Sequence, residues 1–191
     1  MTKAQRQRLI NAIFYFAKYT KFAGQTKLLK LLYLLDFEHF KQTGRSVTGL
    51  EYQAWRMGPV PKAFRSEWKS GFSPDLAALV TIQPEETIHS VRETVVPNEG
   101  AEFDEGAFTP RQLALLEDIA TTYRDKHAQQ MVDITHTQNE AWDKVWRDGK
   151  GQNDVIPYEL SLAADCGERE DILQAANEYR GFVAAIRNAG H

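Results

Sequence analysis

The residues with the clearest chemical potential are Asp36, His136 and the single cysteine, Cys166. A carboxylate and an imidazole could form an acid–base pair, and a thiol beside an imidazole could act as a nucleophile with its base. However, one cysteine and five scattered histidines make chance pairing easy. Nothing near Asp36 in the sequence supplies a second catalytic group, so a structural role for Asp36 is favoured.

A metal site is the next possibility, because Asp133, His136 and Glu140 have a spacing compatible with one helix face. Asp133 and Thr135 are better interpreted as residues that start a helix. The phosphate-binding, zinc-protease, hydrolase, dinucleotide and paired-cysteine motifs are missing from the sequence. We therefore expect no catalytic residue, no metal and no cofactor, and a binding protein is favoured over an enzyme.

Charge is distributed unevenly along the 191 residues. Residues 1–70 carry 13 Lys and Arg against 4 Asp and Glu, whereas residues 71–191 carry 10 against 22. The basic part could bind nucleic acid or an acidic protein. Because its charges are interleaved with apolar residues, we favour instead that the two parts lie against each other, and do not expect nucleic-acid binding.

Three features favour a cytoplasmic protein. A lone cysteine cannot form an internal disulfide, which suits a reducing compartment. The N-terminus makes a poor signal peptide, because Lys18 interrupts its short apolar run. No uninterrupted apolar run approaches the ~20 residues that would cross a bilayer, so no membrane partner is expected.

The segment 27–42 predicts the central helix, with Thr26 as its N-cap and Gly44 at its end. Most of its circumference is apolar, which indicates packing on several sides. One narrow polar strip remains, formed by Lys27, Lys30, Glu38 and Lys41. Asp36 lies opposite that strip, so we expect it to be buried and hydrogen-bonded to the Gly44–Arg56 segment or to the Thr135–His136 turn.

The remaining pattern predicts an α+β fold, a mostly helical single domain with a small antiparallel sheet or hairpin. Helices are predicted over 4–20, 62–69, 110–125, 126–131, 135–146 and 168–188, a short helix or turn over 157–164, and extended segments over 50–56, 79–83 and 87–96. Residues 84–86 are predicted to form the turn between the last two. Gly58, Pro59, Val60 and Pro61 predict a fixed strand-to-helix corner, with Pro61 at the first helical position.

The residues from Thr26 to Pro61, TKLLKLLYLLDFEHFKQTGRSVTGLEYQAWRMGPVP, resemble the Panacea antitoxin domain family, which includes SocA-like adaptors and phage-associated GepA-like proteins. A weaker second block is similar around Thr135, His136, Trp142, Ile156 and Pro157. The resemblance covers about residues 5–160, leaving 161–191 as a C-terminal helical extension. The matching family positions, which we interpret as structural, are Lys27, Tyr33, Asp36, Gly49, Tyr52, Gly58, Pro59, Val60, Pro61, His136 and Trp142.

The resemblance implies an antitoxin, often prophage-borne, that neutralises a co-encoded toxin by direct contact and is not itself an enzyme. In the SocA-like branch the same fold delivers the toxin to an ATP-dependent protease. We expect Trp55, Arg56 and Arg65 to contact the partner, since aromatic and arginine side chains dominate interface energetics. Two alternatives stay open: an enzyme using Asp36 and His136, and a nucleic-acid-binding regulator using the basic first third.

Overall fold

The computed structural model describes residues 1–86, 91–137 and 140–189. In chain order, its elements are α1 (Lys3–Tyr19), α2 (Gln25–Thr43), β1 (Tyr52–Trp55), β2 (Gly58–Pro61), α3 (Lys62–Ser70), α4 (Pro74–Ala77), β3 (Val80–Glu86), β4 (Val91–Pro97), α5 (Pro110–Thr122), α6 (Ala128–Thr137), α7 (Glu140–Trp146) and α8 (Arg169–Ala189). Short 3₁₀ turns lie at Glu105–Ala107, Arg147–Gly149 and Tyr158–Ser161. Within the described residues this is the predicted α+β fold, helical with two separate two-stranded antiparallel sheets.

Helix α2 is the centre of the domain, as its apolar circumference predicts. It packs against α1, α3, α5, α6, α8 and the strands β2 and β4. Its leucines and aromatic residues are almost completely buried, which places the main core around this helix. The helix begins after Gly24 rather than Thr26, and Gly44 ends it in the left-handed conformation at a φ of 69°.

The predicted polar strip on α2 is wrong for half of its members. Lys27 and Lys30 are 0% and 1% exposed, because other elements cover that side of the helix as well. The ammonium group of Lys27 donates to the carbonyl oxygens of Lys21 and Arg124, at 2.7 and 2.9 Å. Glu38 and Lys41 remain half-buried and form an ion pair at 2.8 Å.

The predicted corner at residues 58–61 is instead the second strand of a hairpin. Strands β1 and β2 are antiparallel, with Tyr52 opposite Pro61 and Trp55 opposite Gly58. On its other side β1 bonds to residues 153–156, so β2 is the outer strand. Prolines are tolerated there because an outer strand does not need every backbone donor. Pro61 is the N-cap of α3 rather than its first helical residue.

The second sheet corrects another turn prediction. Strand β3 continues through Pro84 to Glu86 and pairs with β4, with Pro84 opposite Glu93 and Glu86 opposite Val91. Pro84 is compatible with this pairing because both strands of a two-stranded sheet are edges. The predicted strand start at residues 87–90 lies outside the described residues.

The helices of the second half follow the predicted order, but α5 ends earlier than predicted, α6 extends further and α7 begins later. The capping box at Thr109 and Gln112 opens α5 as predicted. Thr135 is not an N-cap: it lies buried inside α6, where its hydroxyl donates to the carbonyls of Met131 and Val132. Helix α8 packs against α2 through a small cluster of Phe40, Leu162, Ile172 and Ala176.

Candidate partner-binding site

The loop after α2 is organised by Asp36, which is completely buried. Its carboxylate accepts hydrogen bonds from the backbone N–H groups of Val47 and Thr48, at 2.8 and 2.7 Å. The hydroxyl groups of Thr48 and Tyr52 also donate to it, the latter at 2.8 Å. The prediction that Asp36 is buried and bonded to the Gly44–Arg56 segment is confirmed.

Burial raises the pKa of Asp36 to about 6, and the four donors oppose that rise. At pH 7 the ionised form therefore prevails, which suits a group whose hydrogen-bonding partners all donate. His136 is not among those partners, so the structure does not bring the hypothetical acid–base pair together. The arrangement of Asp36 is that of an anchor for the loop.

The loop also passes close to α1 and to the core aromatics. Gly49 has a φ of 71°, and a Cβ there would lie 2.3 Å from the side-chain nitrogen of Gln5, so a larger residue would be strained and would displace Gln5. The ring of Tyr52 meets that of Tyr33 edge-on at 5.4 Å. The hydroxyl of Tyr158 donates to the carbonyl of Leu50. These contacts fix where the β1–β2 hairpin emerges from the core.

Beneath the hairpin lies a second polar group, built on Lys30 and His136. The ammonium nitrogen of Lys30 donates to the carbonyl of Pro59 at 2.9 Å. A Cβ on Gly58, whose φ is 93°, would lie 2.7 Å from that nitrogen and 3.0 Å from Nε2 of His136. Gly58 therefore provides both the backbone conformation and the space that the two side chains occupy.

The imidazole of His136 is held in place by stacking. It lies parallel to the indole of Trp142, with ring centroids 3.8 Å apart, and Trp142 donates through Nε1 to the carbonyl of Trp55 at 3.0 Å. Nε2 of His136 is buried without a hydrogen-bonding partner among the described residues. Burial lowers the pKa of His136, and the positive charge of Lys30 lowers it further. His136 and Trp142, which belong to the second block of family resemblance, thus pack beneath the hairpin and support it.

A cleft lined by α2, the hairpin and α3 contains the residues predicted to contact a partner. Trp55, Arg56 and Arg65 all line one cleft of about 420 Å³, together with Met57, which is 51% exposed. The guanidinium of Arg65 lies 4.4 Å from the ring centre of Trp55. Arg56 is exposed, and Trp55 and Arg65 are partly exposed. The structure brings these three predicted residues together on one surface.

Sequence reasoning missed three parts of this face. Lys30 forms part of the cleft although its helical position suggested a solvent-facing strip, and Gln152 and Asn153 reach the cleft from a distant loop. The only local signal was the number of bulky residues flanking Lys30, which indicates burial all round. The contribution of Gln152 and Asn153 depends on β1 pairing with residues 153–156, which no local pattern reveals.

The other chemical candidates do not form sites in the described part of the chain. Cys166 packs beside the Phe40 cluster, whereas His136 stacks on Trp142. The side chain of Glu140, one of the three hypothetical metal ligands, lies outside the described residues. Among the side chains that are described, no group of three or more His, Cys, Asp or Glu could hold a metal ion. Nor does any described helix have the length and apolarity needed to cross a membrane.

The fold and its ordered hairpin define a helical α+β domain organised around one buried helix. Residues 28–143 match the model of the family described as antitoxin SocA-like, Panacea domain. No curated protein and no solved structure matches the chain. Because the match covers more than half of the sequence, the chain belongs to the SocA-like Panacea antitoxin family, and this membership supports an antitoxin role.

Proposed function

We propose that this protein neutralises a co-encoded toxin by binding it directly through the hairpin face, defined as Trp55, Arg56, Met57 and Arg65. The observation that carries the proposal is the family match over residues 28–143. The matched segment contains the whole hairpin, the Asp36 loop and the helices that support them. The proposed activity takes place in the cytoplasm and involves no catalysis by this chain.

The hairpin is suited to this role because it is held firmly from several directions. Lys30 bonds to Pro59, Trp142 bonds to Trp55, and the backbone N–H of Ala54 donates to the carbonyl of Asp154 at 2.9 Å. A surface that is already ordered loses little conformational entropy when a partner binds. More of the contact free energy is then available for affinity.

The side chains on this face are of the types that contribute most to protein interfaces. Alanine scanning of interfaces finds that tryptophan and arginine are enriched among the residues whose loss costs most. Trp55 and Arg65 also stack on each other, which limits the freedom of both before a partner arrives. Met57 adds a flexible apolar side chain that can adapt to the shape of the partner.

Co-expression with the product of the neighbouring gene tests the proposal. We expect the neighbouring product to arrest growth alone, and this chain to restore growth and co-purify with it. Trp55→Ala should reduce both rescue and co-purification, with Trp146→Phe, on α7, as the aromatic control. Rescue without a stable complex, accompanied by loss of the toxin, would show delivery to a protease instead. No rescue would contradict the antitoxin proposal.

A further inference from the structure

The cleft beside the hairpin is strongly unbalanced in charge. Its lining includes three basic side chains, Lys30, Arg56 and Arg65. None of the described residues that line it is an aspartate or a glutamate. A cleft with charges of one sign concentrates its electrostatic field and attracts groups of the opposite sign.

Nearby acidic side chains are engaged elsewhere and do not neutralise the cleft. Glu67, two residues after Arg65, forms an ion pair with Arg6 at 2.7 Å. Asp154, next to Asn153, lies 3.6 Å from Arg147. Within the described part of the chain, neither Arg56 nor Arg65 takes part in an ion pair. Their positive charges therefore remain available to a partner.

Lys30 is the most buried of these three basic residues, so water cannot fully replace the partners that it lacks. Lys30 is 1% exposed, and its ammonium group donates to the carbonyl of Pro59 among the described residues, although such a group can donate three hydrogen bonds. No described carboxylate lies within ion-pair distance of it. Buried charges are normally paired, because leaving water without a counter-ion is costly.

We propose that the cleft binds an acidic segment of the toxin, with carboxylates held by Arg56 and Arg65 at the surface and one carboxylate reaching toward Lys30. This inference rests on the proposed antitoxin function and specifies the chemistry of the partner. Arginine suits this task because its planar guanidinium can bind a carboxylate through two parallel hydrogen bonds. A carboxylate near Lys30 would supply the missing counter-charge.

The geometry favours an acidic protein segment over a nucleic acid. Proteins that bind a nucleic-acid strand use a continuous basic groove that follows its backbone. Here three basic residues line a single cleft of about 420 Å³, and the chain as a whole has a net charge of −3. Exposed Met57 and the Trp55 ring beside the cations provide apolar contact of the kind found in protein interfaces.

Charge reversal tests the inference with the neighbouring-gene product as the binding probe. We expect Arg56→Glu and Arg65→Glu each to weaken its affinity by about tenfold or more, mainly through lost electrostatic complementarity. The matched control is Arg111→Glu, an exposed residue that lies beside Thr43 near the opposite end of α2. It makes the same change in net charge and should leave affinity within about twofold.

A photoreactive phenylalanine analogue in place of Met57 identifies the contacted segment directly. We expect the cross-linked toxin peptide to be rich in aspartate and glutamate. A basic peptide, or wild-type affinity in both charge-reversal variants, would overturn the inference while leaving the antitoxin proposal intact. Failure of the wild-type protein to bind the probe would overturn both. Co-purified nucleic acid that Arg56→Glu releases would show that the cleft binds a nucleic acid instead.

Discussion

Among the ionisable side chains that helix α2 buries, Asp36 and Lys30 have opposite charge and lie about 9 Å apart along its axis. The carboxylate accepts four hydrogen bonds from one loop. The ammonium group of Lys30 donates to a single carbonyl oxygen, and the Lys30 side chain also lines the cleft that contains Arg56 and Arg65. Both are almost fully buried, yet only the bonding capacity of Asp36 is saturated.

This difference separates an architectural charge from one that is available to a partner. Asp36 has no free capacity, so its role ends with the loop that it anchors. Lys30 has unused donors and lines the same cleft as Arg56 and Arg65, and a carboxylate nearby would favour its charged form. Burial and a place in the family motif are shared by both residues, so neither property alone indicates function. What distinguishes the two residues is whether the hydrogen-bonding capacity of the charged group is already filled.

Removing the saturated charge should have the largest effect on stability. Asp36→Ala leaves the donors of Val47, Thr48 and Tyr52 unpaired, and we expect a loss of about 3 kcal/mol in the free energy of unfolding. Asp36→Asn keeps one acceptor oxygen and should lose less. Urea denaturation followed by tryptophan fluorescence measures both. An Asp36→Ala protein as stable as wild type would refute the anchoring role.

The packing of Gly58 against Lys30 and His136 can be tested by adding one methyl group. Gly58→Ala places a Cβ 2.7 Å from the ammonium nitrogen of Lys30, so it should destabilise the protein by overpacking. Gly71→Ala is the matched control, because its φ is 94° against 93° for Gly58 but a Cβ there meets nothing within 4 Å. We expect Gly58→Ala to lose about 2 kcal/mol more than Gly71→Ala.

Thermal and urea unfolding of the two alanine variants give this difference directly. Backbone strain should be similar in the two because their φ angles agree, so the difference isolates the contact with Lys30 and His136. Equal losses in the two variants would mean that Lys30 and His136 can move aside at no cost, and would contradict tight packing at Gly58.

The two buried charges should also give opposite dependences of stability on pH. Burial lowers the pKa of Lys30 to about 7 from its usual 10.5, so the unfolded chain holds more protons between those values. Stability should therefore rise from pH 7 to 9, by about 1 kcal/mol per pH unit. Lys30→Met should reduce this rise and leave the part above pH 8 that comes from Lys27, whose pKa burial lowers to about 8. An unchanged slope in that variant would show that Lys30 does not titrate in this window.

Asp36 should make stability depend on pH in the opposite direction, at lower pH. Because burial raises its pKa from 3.8 to about 6, the folded protein holds the extra proton between those values. Its contribution to stability is full below pH 4 and is lost as the pH rises through 6. Asp36→Asn should remove this fall, as measured by urea denaturation at pH 4.5 and 6.5. An unaltered curve would mean that the carboxyl group has an ordinary pKa.

Much of this architecture follows from local pattern. The central helix, the burial of Asp36 and the capping box at Thr109 depend on spacing within one element, so the sequence predicts them. The hairpin at residues 58–61 is predicted as a corner because Pro59 and Pro61 suggest that the strand has ended. They are tolerated because β1 pairs on its other side with residues 153–156, which leaves β2 as the outer strand. Lys30 was misplaced for the same kind of reason. Whether a lysine faces solvent depends on which distant elements cover it, and no helical wheel contains that information.

The most direct test of the contrast between Asp36 and Lys30 is a paired measurement on Lys30→Met, using unfolding free energy and affinity for the neighbouring-gene product. Methionine fills a similar volume without a buried charge, so the account predicts stability at pH 7 equal to or above wild type. It also predicts affinity lowered by about tenfold or more, because the toxin's carboxylate loses its counter-charge. A stable variant with wild-type affinity would contradict the functional role of Lys30, and a variant as unstable as Asp36→Ala would show that both charges are architectural.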